Sequence, residues 1–93
     1  MLIDDVRLAC RVTTTTFDSE LNRLIGSAKK DLEVAGVVIP DPIDDIVTTA
    51  ICTYCRMNFG NPDNYDKLKS SYDEQKAQLS MAEGYTDWGD IDG

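Results

Sequence analysis

A chain of 93 residues bounds one small domain with a modest apolar core, so self-association would add to its stability. Hydrophobic residues at 42% and charged residues at 28% describe a globular chain, and no apolar run approaches the ~20 residues that cross a bilayer, which excludes a membrane-spanning helix. Seventeen acidic against nine basic residues give a formal charge of -8, which excludes a surface that coats nucleic acid, because phosphates would be repelled.

The first residues, MLIDDVRLAC, lack both a basic start and a continuous apolar stretch, so they do not read as a secretion signal and a cytosolic origin is expected. Leu2, Ile3, Val6, Ala9 and Cys10 recur at helical spacing, with Asp4 and Asp5 early and Arg7 and Arg11 late, the order a helix dipole prefers. This predicts a first helix over Leu2 to Val12. The run Thr13 to Thr16 is a poor helix continuation and reads as a linker. A second helix is expected from Asp18 or Ser19, either of which can cap it, to about Ala35, with Gly36 as its stop. Its face is Leu21, Leu24, Ile25, Ala28, Leu32 and Ala35, and Phe17 can staple onto Leu21 or Leu24. Lys29 and Lys30 beside Asp31 and Glu33 read as a solvated or intersubunit face, since no glycine-rich loop accompanies them.

Val37, Val38 and Ile39 form an apolar connector that wants cover. The stretch from Asp41 to Gly60 carries the strongest helix signal in the chain. Asp41 can cap it, Pro42 suits the first position, Asp44 and Asp45 complement the dipole, and Gly60 stops it. Ile43, Ile46, Val47, Ala50, Ile51, Tyr54 and Met57 repeat at three and four, although Val47, Thr48, Thr49, Ile51 and Thr53 would suit a strand by propensity. Length and caps favour the helix. Asn61 and Pro62 repeat the cap-then-proline signature and open a fourth helix to about Ala82. Tyr65, Leu68, Tyr72 and Leu79 leave it only a narrow apolar stripe, so it should project or bridge subunits, with Tyr65, Lys69, Tyr72 and Lys76 as candidate intersubunit residues.

The last stretch, EGYTDWGDIDG, has four acids, no base and three glycines, and should be flexible when alone. Its interleaved aromatics suggest a docking segment, because Tyr and Trp are enriched at binding hot spots. Tyr85, Trp88 and Ile91 would anchor it, and Asp87, Asp90 and Asp92 would match charge. The division is a helical domain over 1–82 and an acidic aromatic tail over 83–93, in an all-α class: a small bundle of about four helices.

Little in the chain points to chemistry. Histidine is absent, and there is no nucleophile elbow, zinc-protease, phosphate-loop or dinucleotide motif. Asp41, Asp44 and Asp45 cluster, but capping accounts for them without a cation, and Asp63 and Asp66 miss the calcium-loop spacing. Cys52 and Cys55 form a C-x-x-C within a helix, and Cys10 cannot complete a four-ligand site, so all three cysteines read as reduced, structural thiols. No catalytic residue, metal or cofactor is expected.

In order, MLIDDVRLACRV, FDSELNRLIGSAKKDLEVAG, PDPIDDIVTTAICTYCRMNFGNPD and YDKLKSSYDEQKAQLSM resemble the small head-tail connector, or adaptor, proteins of tailed bacteriophages. YDKLKSSYDEQKAQL is the most specific part, and the tail GYTDWGDIDG matches least, so its role is read from composition. The resemblance implies a structural protein of the virion neck, made in the host cytoplasm, that forms a ring beneath the portal protein. The ring would have roughly a dozen copies if it follows portal symmetry. It would extend the DNA channel without binding DNA specifically and present a platform to the next neck or tail-completion protein. Two other classes stand beside it: an acidic regulatory or DNA-mimic protein, motivated by charge, and a small thiol or metal protein built on Cys52 and Cys55.

Overall fold

The computed structural model describes residues 2–40, 43–60 and 62–81. They form four helices, α1 (Leu2–Ala9), α2 (Asp18–Val34), α3 (Asp45–Asn58) and α4 (Tyr65–Met81), with no strand among the described residues. The protein is thus a small all-α bundle, as its periodicities predict.

Helix α3 is the centre, packing against each of the other three. It can do so because its buried residues, Val47, Ala50, Ile51, Thr53, Cys55 and Met57, cover more than one face. Its threonines are accommodated by donating backwards: Thr49 Oγ1 to the Asp45 carbonyl at 2.8 Å and Thr53 Oγ1 to the Thr49 carbonyl at 3.0 Å. The strand propensity of this stretch is thereby overridden by local bonds and burial. The helix starts later than its sequence signals suggest. Its cap is Asp44, in extended conformation, whose carboxylate accepts from the Val47 N–H at 3.0 Å. Asp44 is the aspartate placed three residues before an orphan N–H, the spacing a cap requires. Asp41 and Pro42 lie outside the described residues, as does Asn61. Ile46, counted above on the apolar face, is 59% exposed.

Helix α2 buries Leu21, Leu24, Ile25, Ala28 and Leu32, the expected stripe. Its beginning differs from expectation. Phe17 occupies the cap position without a side-chain bond, and Asp18 spends its carboxylate on Arg7 instead. The Phe17 ring meets Phe59 edge-on at 5.5 Å, tying the entrance of α2 to the end of α3. At the other end, Val37 N–H donates to Leu32 and Gly36 N–H to Glu33, a paired closure with Gly36 at φ 93. Val37 thereby turns inward to 3% exposure, giving the connector the cover it wants.

Helix α1 closes in the same way but three residues short of Val12: Val12 N–H donates to Arg7 and Arg11 N–H to Leu8. Here the left-handed position, φ 59, is held by Arg11 rather than glycine. A side chain in that region costs about 1 kcal/mol. Arg11→Gly is therefore expected to raise unfolding stability by ~0.5–1 kcal/mol, read from urea denaturation. Helix α4 begins at Tyr65, not Pro62, with the Asn64 carbonyl accepting from Leu68 N–H. It contributes only Leu68, Tyr72 and Leu79 to the core, the thin stripe expected.

Candidate interaction surface

Arg7 links α1 to α2. Its Nε and terminal nitrogen donate to the two carboxylate oxygens of Asp18, each at 2.8 Å, while its other nitrogen reaches Asp4. A two-point fork of this kind fixes orientation as well as distance. The Arg7 guanidinium, donating to Asp18, holds that carboxyl below its ordinary range. The pair's contribution is therefore present above the unfolded Asp value and fades as pH falls through the lowered one.

Cys10, Cys52 and Cys55 converge where α1 meets α3, close enough for each to influence another's ionisation. Burial pushes Cys52 up to about 11 and Cys55 up to about 12, and raises Cys10 as well. Thiols held protonated are poor nucleophiles and poor ligands. At pH 8, Cys52 is expected to react with a disulfide reagent ~10²-fold more slowly than free cysteine, which a time-resolved labelling assay would measure. The linked stability change has a definite sign. The unfolded thiols ionise from about pH 8.5 while the folded ones do not, so stability falls as pH rises from there through about 11 and 12. No group of three or more side chains able to hold a metal ion exists among the described residues.

Asp31 on α2 accepts from the Tyr72 hydroxyl and from Lys76 Nζ, the latter at 3.2 Å, both on α4. Tyr72 is 2% exposed, with its ring edge against Tyr54 of α3 at 5.3 Å and Lys76 Nζ lying 5.3 Å from its centre. Burial, then the bond to Asp31, holds the phenol above its ordinary value, so it stays protonated and keeps donating. Tyr72 and Lys76, named above as candidate intersubunit residues, thus face Asp31 of their own chain. Tyr65 is 41% exposed and Lys69 pairs outside with Asp73 at 2.9 Å, so these two remain available to a neighbour. The sequence places Asp31 on a solvated or intersubunit face; the periodicity that buries Leu32 beside it does not contain its partners on α4.

A cleft of about 190 Å³ opens where the ends of α1 and α3 meet the start of α4. Its lining includes buried Leu68 and half-buried Phe59, and its charged lining is Arg11 and Arg56, with no acid among the described residues that form it. Both arginines are exposed, and neither has an acidic partner among the described residues. This cleft was not legible in the sequence, since the two arginines are 45 residues apart (56 − 11) and only packing joins them. The six tail residues named for docking, Tyr85, Asp87, Trp88, Asp90, Ile91 and Asp92, lie outside the described residues.

No helix of the described residues is long and apolar enough to cross a membrane. Against known families, residues 2–86 match the model described as phage connector protein. No curated protein and no solved structure matches the chain.

Proposed function

The chain belongs to the phage connector protein family and is a structural connector of a phage; from that premise we propose that it forms a ring beneath the portal and joins head to tail. The observation that carries the reading is the family match across residues 2–86, which spans all four helices. The ring extends the channel through which DNA passes. A formal charge of -8 suits that role, since an acidic wall lets phosphates slide without sticking. It stands in the neck of the virion, after synthesis in the host cytoplasm, with the portal on one side and the next neck or tail-completion protein on the other.

Self-association fits the energetics as well. The core is small, and Leu8, Val34 and Met81 are 80%, 76% and 84% exposed, so contacts with neighbouring copies would cover apolar surface the lone chain leaves in water. Tyr65 and Lys69 face outward on α4 and are the remaining intersubunit candidates. The tail supplies docking through Tyr85, Trp88 and Ile91, with Asp87, Asp90 and Asp92 matching charge. The protein's work in this reading is mechanical, with no catalytic step. A DNA-mimic role has the charge alone behind it.

Infection by a phage lacking this chain tests the proposal. DNA-filled heads and free tails should accumulate separately, and adding the purified protein to the extract should restore joined particles. Joined, infectious particles formed in its absence would contradict it.

A further inference from the structure

We infer that the cleft lined by Arg11 and Arg56 receives the C-terminal segment 83–93 of a neighbouring copy. The inference deepens the ring reading by naming the contact between subunits, and it rests on that reading only for closure into a ring.

Charge and shape agree. In a chain of net charge -8, this cleft presents two arginines and no acid among the described residues, while the segment EGYTDWGDIDG carries four acids and no base. Leu68 and Phe59 in its lining offer apolar surface to Trp88 or Tyr85, and the two exposed arginines offer charge partners to Asp87 and Asp90. Arg11 adds a second kind of support. Its left-handed backbone would be easier for glycine, yet an arginine stands at the mouth of the cleft.

The geometry favours a neighbour over the chain's own tail. The cleft lies at the start of α4, and the tail leaves from its end. Leu68 to Met81 is thirteen steps of helix, about 20 Å. Trp88 is seven residues past Met81, a reach of about 23 Å when fully drawn out. A chain filling its own cleft would have to run almost straight back along α4, at high conformational cost. Donor and acceptor at opposite ends of one helix suit a head-to-tail contact instead, which repeats from copy to copy and closes where the rotation allows.

The test uses two full-length variants, R11E/R56E and D87R/D90R, with folding checked by circular dichroism and association by sedimentation. Alone, each should associate about tenfold or more weakly than the natural chain, because cleft and tail then repel. Mixed in equal amounts they should re-associate, since each cleft meets a tail of opposite charge. Trp88, the only tryptophan, should shift its emission to the blue in the mixture and not in either variant alone. Arg11→Gly should weaken association while stabilising the fold, a combination a purely structural role for Arg11 does not produce. A mixture that stays monomeric, variants that associate as tightly as the natural chain, or a Trp88 emission already blue in the dilute monomer would each overturn the inference. Open chains that never close, with both variants behaving as described, would leave the contact standing and contradict the ring. A ring indifferent to all four charge reversals would do the reverse.

Discussion

Replacing Tyr72 by alanine is expected to cost about 3–5 kcal/mol, a large share of what holds a domain of this size together. Three losses combine. The ring is 2% exposed, so its removal leaves a cavity between α3 and α4. Its edge contact with Tyr54 and its contact with Lys76 go with it. Asp31 also loses the hydroxyl that ties α2 to α4. Tyr72→Phe separates these parts: it keeps the packing and removes only the hydrogen bond. Because Lys76 and solvent still serve the half-exposed Asp31, its cost should be about 1 kcal/mol. Urea denaturation followed by circular dichroism measures both. A Tyr72→Ala protein as stable as the natural chain would mean that α4 is not held by this residue.

Substituting Val6 by aspartate should release α1 from the bundle. Val6 is the buried residue of α1, and a carboxylate cannot stay at that site unpaired. Eight residues are too few to remain helical once undocked, since isolated helices need about 12–15. The readout is chemical as well as spectroscopic. Cys10 and Cys52 lie at the junction of this helix with α3, so the labelling rate of Cys52 should climb about 10²-fold toward that of free cysteine, and that of Cys10 should rise as well, while α2, α3 and α4 still unfold cooperatively. Thiols that stay protected in the variant would show that α1 does not cover them.

Much of the architecture was legible because it is local. The stripe Leu21, Leu24, Ile25, Ala28 and Leu32 needs only a period of 3.6 and a glycine at its end, and the chain supplies both. The thin face of α4 was equally readable. Helix starts were not, because several candidates compete for each. Asp44 caps α3 although Asp41 precedes a proline, and Asp18 abandons the cap of α2 for Arg7, eleven residues earlier in the chain. What decides such cases is the partner that folding brings within reach, which periodicity does not contain. The same holds for function-bearing surfaces. Asp31 looked solvated until Tyr72 and Lys76 arrived from α4, and Arg11 and Arg56 form one cleft only after α1 docks on α3. The order and spacing of the helical segments along the chain carried the family likeness, and the family match runs over residues 2–86, across all four helices.

The proposed ring of the phage neck is tested most directly by electron microscopy of purified particles. Averaged images of the neck should contain, beneath the portal and around the DNA channel, a ring of small helical subunits into which these four helices fit. A neck in which the portal meets the next component with no such ring between them, or particles that lack the protein altogether, would contradict it.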